Sequence, residues 1–317
     1  MSASIFPTKQ DIENAHVRIA PFIHHTPVMR CSTINNALQA EVVFKCENFQ
    51  KVGAFKYRGA TNAVLQLPEA KRKLGVAAHS SGNHAQALAL AAKVQGIKAS
   101  IVMPNNAPKV KVAAVKGYGA EILFCEPTLQ ARESTLAKFI ESTGAVEIHP
   151  YDNDDIISGQ ATAAKELIAE QKGLDYLLAP VGGGGLLSGT LLSAHFYSPN
   201  TKVIAAEPLG ADDTYRSFIQ NKLMPSVSPN TIADGLLTSL SQRTFNIISE
   251  LADDVVTVTE EEIKSAMKLI WERMKIIIEP SSAVPLAVVF KKRDLFKGKK
   301  VGIIISGGNV DLGNLPF

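Results

Sequence analysis

Short β-rich apolar runs alternate with stretches of helical periodicity along the chain from about residue 75 onward. Because strands that alternate with helices are typical of a parallel sheet wound with helices, this pattern predicts an α/β fold. The predicted strands cover residues 75–79, 99–103, 120–124, 176–179, 202–206, 255–258 and 301–305. No repeat of fixed period and no low-complexity tract interrupts them.

Two helix starts carry capping signals. Thr8 and Asp11 precede one apolar-periodic run, and Thr259 and Glu262 precede another over residues 263–274. A Thr followed three residues later by an acidic side chain satisfies free N–H groups of a first helical turn. We therefore expect a helix to begin after each Thr.

Three polar or glycine-rich loops follow predicted strands. Open α/β folds bind ligands at the edge where the parallel strands end, so we expect these loops to gather around one ligand. The loops are Ser80-Ser81-Gly82-Asn83-His84, Gly182-Gly183-Gly184-Gly185 and Ser306-Gly307-Gly308-Asn309.

The four consecutive glycines indicate an anion site. They allow the backbone to turn its N–H groups toward one point, and the start of the following helix adds attraction for an anion. The loop lacks the Gly-Lys-Ser/Thr of a Walker loop and the spacing of a dinucleotide fingerprint. The sequence predicts a bound phosphate here, and a glycine-rich turn without a ligand is the alternative.

The loop before residue 85 has two interpretations. Its hydroxyls and amide can contact a ligand, or they can cap the helix that is predicted over residues 85–94. His84 is either a packed or capping histidine or a general base. The residues alone leave both pairs of alternatives open.

A lysine stands in the segment Gly53-Ala54-Phe55-Lys56-Tyr57-Arg58-Gly59-Ala60. A lysine amine is a useful covalent catalyst only with an electrophilic partner such as an aldehyde. Taken with the predicted phosphate site, Lys56 points to pyridoxal phosphate as the ligand.

Length and charge narrow the class of partner. The 317 residues have room for about two domains of ordinary size. A net charge of +3, from 33 basic and 30 acidic residues without long runs of one sign, argues against nucleic acid and anionic membranes. We therefore expect a small molecule as the partner.

The cysteines and the N-terminus indicate the compartment. Cys31, Cys46 and Cys125 are an odd number without metal-type spacing, which fits buried thiols in a reducing compartment. The first residues resemble neither a secretory signal nor a transit peptide. No apolar run approaches the roughly 20 residues of a membrane span, so we expect a cytoplasmic protein.

Four segments resemble the defining motifs of the fold-type II pyridoxal-phosphate enzymes, in the branch of serine/threonine dehydratases and serine racemases. These are the lysine segment and the three loops, and they occur in the family's order. The resemblance covers nearly the whole chain. It extends to Glu47-Asn48-Phe49-Gln50, to residues 205–208, 211–213, 231–235 and 271–275, and to Glu279-Pro280.

The resemblance implies a domain arrangement. It consists of two open twisted α/β domains with the cofactor in the cleft between them. Residues 1–74 and 152–317 would form the large domain that binds pyridoxal phosphate, and residues 75–151 a small mobile domain. The resemblance also implies a homodimer.

The resemblance assigns Lys56 two roles. It would bind the cofactor covalently and, once released, act as the base that removes the Cα proton of the substrate. The other residues implied to bind the cofactor are Phe55 at the ring face, Asn83 at the 3′ oxygen, Gly182, Gly183, Gly184 and Gly185 at the phosphate, Gly235 at one edge and Ser306 at the ring nitrogen.

Ser81 is the residue that would allow racemisation. Inverting a Cα centre requires acid/base groups on both faces of it, and Lys56 can serve only one. Related dehydratases can also carry a serine at this position, so Ser81 permits racemisation without proving it. The implied substrate contacts are Ser80, Ser81, Asn83, His84 and Arg132, the last with a solvated helix arginine as the alternative.

A cation and a nucleotide complete the implied ligands. Glu207, Asp213 and the carbonyl of Ala211 resemble the family's site for Mg²⁺, Ca²⁺ or Mn²⁺, and hard oxygen ligands suit such ions. Acidic loop residues without a metal are the alternative. The residues implied to bind ATP as an activator are Lys51, Gln86, Lys111, Tyr118, Lys275 and Asn309, each of which can instead be a merely exposed or capping residue.

The implied activity is the interconversion of L-serine and D-serine, with elimination of serine to pyruvate and ammonia as a side activity. Ala54, Val52 and Tyr151 depart from the family's pattern, and Tyr151 bears on the balance between the two reactions. One alternative is a threo-3-hydroxyaspartate or L-threonine/L-serine dehydratase without significant racemisation. The other is a binding module without catalysis.

Overall fold

Two sheets form the framework of the protein, as a computed structural model that describes residues 6–317 shows. Residues 1–5, which belong to the expected large domain, lie outside the described residues. The strands are β1 (Val28–Arg30), β2 (Glu41–Cys46), β3 (Val76–His79), β4 (Ala99–Pro104), β5 (Glu121–Cys125), β6 (Val146–Glu147), β7 (Tyr176–Pro180), β8 (Lys202–Pro208), β9 (Asp254–Val258) and β10 (Lys300–Ile305).

Helices cover both sheets and connect their strands. They are α1 (Lys9–Ile19), α2 (Ser32–Leu38), α3 (Lys56–Leu65), α4 (Glu69–Arg72), α5 (Asn83–Val94), α6 (Lys109–Gly117), α7 (Leu129–Thr143), α8 (Asp154–Glu170), α9 (Gly185–Tyr197), α10 (Asp213–Gln220), α11 (Gln242–Leu251), α12 (Glu260–Met274), α13 (Pro280–Lys291) and α14 (Arg293–Phe296). No helix within residues 6–317 is long and apolar enough to cross a membrane.

The larger sheet has six strands in the order β1-β2-β10-β7-β8-β9, and the smaller has four in the order β5-β4-β3-β6. Every pairing is parallel except that of β1 with β2. Parallel strands bring their carboxyl ends to one edge, so the loops after β7 and β10 leave the larger sheet side by side. The α/β prediction is confirmed.

All seven predicted strands are present, with bounds that differ from the prediction by at most two residues. Both predicted capping boxes are also present, at Thr8 and Thr259. The sequence analysis missed β1, β2 and β6. In β2 the charged Lys45 interrupts the apolar run and is nonetheless fully buried, because it pairs with Glu166 at 2.7 Å.

Helix α3 packs against α5, the helix that follows β3 of the smaller sheet. Tyr57, Ala60 and Val64 belong to the same apolar cluster as side chains of β3, β4 and α5. The other face of α3 lies against α8, where Gly59 and Gly159 meet. Helix α3, which begins with Lys56, is therefore held between α5 on one side and α8 on the other.

Arg58 anchors the first turn of α3. Its guanidinium is fully buried and donates to both carboxylate oxygens of Glu47, at 2.7 and 2.8 Å. It also donates to both oxygens of Glu166 on α8, at 2.7 and 2.8 Å. Burial alone would raise the pKa of Glu166, but the hydrogen bonds and charges of Arg58 and Lys45 lower it to about 2. Two carboxylates thus hold Arg58 from opposite sides.

The close approach of α3 and α8 predicts the effect of a single methyl group. A Cβ atom on residue 159 would lie 2.6 Å from the Cα atom of Gly59 and 2.9 Å from the carbonyl oxygen of Arg58. Because backbone atoms cannot move aside, we expect Gly159→Ala to lower the free energy of unfolding by about 1–3 kcal/mol in urea denaturation.

Gly117→Ala is the matched control for that substitution. A Cβ atom on Gly117, the last residue of α6, meets no atom within 4 Å. Its urea midpoint should stay at or above that of the unaltered protein. Equal midpoints for the two variants would contradict the contact between α3 and α8.

Candidate active site

The lysine segment and the third loop are joined through their backbones. The N–H of Phe55 donates to the carbonyl of Ser306 at 2.9 Å, and the N–H of Gly308 donates to the carbonyl of Gly53 at 2.9 Å. Ala54 and Gly307 form an isolated bridge between these contacts. Lys56, which directly follows Phe55, is thereby placed at the carboxyl end of β10.

The Lys56 amine lies beside a carbonyl and an aromatic ring. Nζ donates to the carbonyl oxygen of Pro150 at 2.9 Å and lies 5.1 Å from the ring centroid of Phe55. Burial lowers the pKa of the Lys56 amine to about 8, although the Glu279 carboxylate acts in the opposite direction. A neutral, nucleophilic amine is therefore accessible near neutral pH.

The tetraglycine loop between β7 and α9 presents free donors. Within residues 6–317, the backbone N–H groups of Gly182, Gly183, Gly184 and Gly185 donate to no other residue. Unpaired N–H groups at the start of a helix are an anion site. The loop therefore fits a phosphate group, and its glycines are required for packing as well.

Tyr151 explains two of these glycines. A Cβ atom on Gly183 would lie 2.2 Å from the Tyr151 ring, and one on Gly185 would lie 2.8 Å from the Tyr151 Cβ atom. Burial raises the pKa of the Tyr151 phenol to about 12, so the phenol keeps its proton at neutral pH. Tyr151 thus covers the loop as a neutral aromatic side chain.

The serine loop lies between β3 and α5. Gly82 precedes the helix, and no side chain of the loop caps it, so the capping interpretation of these serines is not realised. Ser80 and Ser81 are half-buried, and the hydroxyl of Ser80 accepts from the N–H of Gly82 at 3.4 Å. The hydroxyl of Ser81 has no hydrogen-bond partner among the described residues.

His84 is a packed histidine. Its Nε2 lies 2.7 Å from the carbonyl oxygen of Ile148, so this nitrogen carries the proton and Nδ1 is a buried acceptor without a partner. Burial, followed by the charge of Lys56, lowers the pKa of His84 to about 3. His84 and Lys56 thus contact carbonyl groups only two residues apart, those of Ile148 and Pro150. The substrate role of His84 stays a prediction.

Glu279 is a site residue to which the sequence analysis gave no role. Asn83 donates to its two carboxylate oxygens at 3.0 and 3.1 Å, and the N–H of Asn309 donates to it at 3.2 Å. Asn309 also donates to Asn83 at 2.8 Å. An acidic residue between an apolar run and a helix-starting proline was the signal that could have revealed it.

The remaining cofactor candidates are Ser306, the first residue of the third loop, and Gly235. Ser306 is buried, with its Oγ 3.0 Å from the Oγ of Ser282. Gly235 donates its N–H to the Oγ of Ser281 at 3.2 Å, and its carbonyl oxygen would lie 3.1 Å from a Cβ atom on Gly182. Gly235 is therefore in contact with the tetraglycine loop.

Glu207 and Asp213 lie together at the end of β8 and the start of α10. The two oxygens of Glu207 accept from the N–H groups of Thr214 and Tyr215, both at 2.8 Å. Burial raises the pKa of Glu207 to about 8 and that of Asp213 to about 6. Two buried carboxylates suit a divalent cation, which would relieve the cost of their burial.

The residues predicted to bind a nucleotide, and Arg132, are more dispersed. Asn309 is bonded to Asn83, and Lys111 pairs with Asp234 at 2.6 Å. The other nucleotide candidates are Lys51, whose Nζ lies 5.8 Å from the Tyr57 ring centroid, Gln86, which is buried in α5, and Tyr118 and Lys275, which directly follow α6 and α12. Arg132 lies half-buried on α7 and donates to the carbonyl of Thr128 at 3.4 Å.

Residues 19–307 match the family model that is described as pyridoxal-phosphate dependent enzyme. The chain is 54% identical to the serine racemase of Dictyostelium discoideum, over 97% of this chain and 96% of that protein. It is 48% identical to the beta-hydroxyaspartate dehydratase of Paracoccus denitrificans, over 98% of this chain and 99% of that protein.

The solved structures agree with the sequence comparison. The crystal structure of the Dictyostelium discoideum serine racemase matches with a TM-score of 0.93, covering 98% of this chain and 100% of that one. The structure of maize serine racemase matches with a TM-score of 0.94 at 44% identity, covering 96% and 94% of the two chains.

The burial of Glu279 predicts a pH-dependent stability. Burial raises its pKa from an ordinary value of 4.5 to about 7. Between these values the folded chain holds a proton that the unfolded chain has released, so stability falls as the pH rises through this range. Because glutamine carries no charge, Glu279→Gln should stabilise the cofactor-free protein at pH 8 by up to about 3 kcal/mol.

Thermal melting at several pH values measures this effect. The difference between Glu279→Gln and the unaltered protein should shrink toward zero as the pH falls to about 4.5. Glu141→Gln, a change of the same kind on the exposed surface of α7, should leave melting unchanged at every pH. A constant difference for Glu279→Gln would show that Glu279 is not the titrating group.

Proposed function

Since the chain belongs to the pyridoxal-phosphate dependent enzymes, we propose that it interconverts L-serine and D-serine. Elimination of serine to pyruvate and ammonia accompanies this reaction. The observation that carries the proposal is that the Lys56 amine donates to the carbonyl oxygen of Pro150, which would lie 3.8 Å from a Cβ atom on Gly185 in the tetraglycine loop. The 54% identity to a serine racemase over nearly the whole chain supports it.

When bound, pyridoxal phosphate supplies an aldehyde for the amine and a conjugated ring that withdraws electrons from Cα. The free N–H groups of residues 182–185 would hold its phosphate, and Phe55, Asn83, Gly235 and Ser306 would complete the binding site. Lys56 would hold the aldehyde, and its lowered pKa leaves a usable fraction of neutral amine for this role.

Lys56 and Ser81 move the protons. Lys56 would take the Cα proton from one face. The Ser81 hydroxyl, which keeps a free hydrogen-bonding position, returns a proton from the other face. The substrate carboxylate lies with Ser80 and Asn83 at the start of α5, where the helix favours an anion.

A dehydratase is the second candidate function. It would act on threo-3-hydroxyaspartate, L-threonine or L-serine without significant racemisation. The similarity to the Paracoccus denitrificans dehydratase favours it, at 48% identity over nearly the whole length of both chains. Both functions require Lys56, and they differ in whether Ser81 delivers a proton.

Purified protein with each of three substrates distinguishes the two functions. L-serine, L-threonine and L-threo-3-hydroxyaspartate are incubated with and without Mg²⁺ and ATP, and D-serine and 2-keto acids are quantified. D-serine from L-serine supports the racemase. Keto acid from hydroxyaspartate, with no D-serine at any Mg²⁺ or ATP concentration, supports the dehydratase.

Substitutions at the two proton-transfer residues test the mechanism. We expect Lys56→Ala to abolish both products, because it removes the covalent link and the base. Ser81→Ala should lower the rate of racemisation by at least about 100-fold, which is the usual contribution of a positioned acid or base. Elimination from one enantiomer should continue. Parallel loss of both products in Ser81→Ala would contradict the two-face arrangement.

The domain division and the oligomer belong to the same proposal. Residues 75–151 contain the four-stranded sheet, and the six-stranded sheet is built from strands before and after them. This supports a small domain within residues 75–151. A homodimer, with ATP bound by residues that include Lys111 and Asn309, is proposed on the resemblance of the nucleotide set alone.

The cation proposal rests on Glu207, Asp213 and the carbonyl of Ala211. We expect Mg²⁺ to raise the melting temperature of the unaltered protein, because the ion neutralises buried carboxylates. In Glu207→Ala this increase should be absent. Glu250→Ala, an exposed change on α11, should retain it, and an unchanged response in Glu207→Ala would exclude this pair as the site.

A further inference from the structure

The segment between β6 and α8 contacts both Lys56 and the tetraglycine loop. The carbonyl oxygen of Pro150 accepts from the Lys56 Nζ at 2.9 Å. Tyr151 follows directly and packs on the loop, since a Cβ atom on Gly185 would lie 2.8 Å from the Tyr151 Cβ atom. The conformation of these two neighbouring residues therefore bears on the amine and on the anion site at once.

The side chain of His149 closes the turn that contains both residues. Its Nδ1 accepts from the N–H of Asp152 at 2.8 Å and from the N–H of Tyr151 at 3.4 Å. Within the described part of the chain, residues 6–317, neither N–H donates to a backbone carbonyl. The turn therefore lacks the usual backbone hydrogen bond from its fourth residue to its first, and the imidazole supplies the acceptor instead.

These contacts determine where the imidazole carries its proton. A ring nitrogen that accepts from an N–H group has no proton of its own, so the proton of the neutral His149 ring is on Nε2. Burial lowers the pKa of His149 to about 4, against the opposing charge of Asp152. The charges of His79, Lys56 and Arg243 add to the lowering. The ring is therefore neutral at pH 7, with Nδ1 available as an acceptor.

Two further contacts hold the ends of the turn. His84 donates to the carbonyl oxygen of Ile148 at 2.7 Å, and Arg243 on α11 donates to the carboxylate of Asp152 at 2.9 Å. Both contacts lie outside the two central residues. The imidazole then determines the direction in which the Pro150 carbonyl points between them.

We propose that His149 is a positioning residue whose Nδ1 aims the Pro150 carbonyl at the Lys56 amine and holds Tyr151 against the tetraglycine loop. The inference rests on the proposed function, in which the amine and the loop hold the aldehyde and the phosphate of one cofactor. A single acceptor nitrogen thereby links the two places at which the cofactor is held.

Packing is the competing explanation. The rings of His149 and Tyr151 lie edge to face, with centroids 4.6 Å apart and an angle of 84° between the planes. If ring packing positions Tyr151, another aromatic side chain at residue 149 preserves the arrangement. If the acceptor positions it, an asparagine oxygen preserves the arrangement, because asparagine closes turns through its own side chain. The two explanations therefore predict opposite effects for two substitutions.

The experiment separates the acceptor from the ring. His149→Asn keeps an acceptor without the ring, and His149→Phe keeps a ring without the acceptor. Cofactor-free protein is titrated with pyridoxal phosphate, and the Kd is determined from the absorbance of the bound cofactor. We expect the Kd of His149→Asn to stay within about twofold of that of the unaltered protein, and the Kd of His149→Phe to rise about 5- to 10-fold, the effect of one lost hydrogen bond.

A second measurement reads the proton position without the cofactor. In cofactor-free protein with ¹⁵N in its imidazoles, His149 should show an unprotonated Nδ1 and a protonated Nε2 at pH 7. The signals are assigned by their loss in His149→Asn, and they decide the inference even if His149→Phe does not fold. His195→Asn makes the same change on the exposed end of α9 and should alter neither the Kd nor the His149 signals.

Three results would overturn the inference and leave the cofactor site intact. They are a proton on Nδ1 of His149 in the unaltered protein at pH 7, tight binding by His149→Phe, and binding by His149→Asn as weak as that by His149→Phe. If the unaltered protein does not bind pyridoxal phosphate at all, the proposed function fails and the inference fails with it.

Discussion

The buried guanidinium of Arg58 is the constraint on which the site depends. It joins Glu47, which follows β2, to Glu166 on α8, and both pairs are bidentate. Removing one partner of a buried ion pair leaves an uncompensated charge, which is far more destabilising than the loss of an exposed pair. Since Lys56 stands only two residues earlier, the position of the Lys56 amine is determined by an interaction on the opposite side of the helix from the cleft.

Burial then decides the protonation of the groups in the cleft. The Lys56 amine loses affinity for its proton, the Glu279 carboxylate gains affinity, and His84 stays neutral. All three shifts have the same first cause, the loss of water around a charge. The cleft therefore contains an amine and a carboxylate that can each change charge near neutral pH, and hydrogen bonds from the Asn83 side chain and the Asn309 backbone orient the carboxylate.

The sequence predicted those parts of the protein in which the signal is local. Strand and helix periods, capping boxes and the glycine loop after β7 each occupy a few consecutive residues, and all are present in the structure. Strand β2 was missed because Lys45 finds its partner on α8, about 120 residues later. Glu279 and Ser282 were missed for the same reason, since their partners, Asn83 and Ser306, are distant in the chain. A contact between distant residues has no period that a single sequence can show.

The place of Lys56 in the secondary structure has a consequence of its own. It is the first residue of α3, and the peptide dipoles of a helix sum to a partial positive charge at that end. An ammonium group is disfavoured there, whereas a neutral amine is not. The ten-residue helix therefore adds to the effect of burial in favouring the neutral form of its own first side chain.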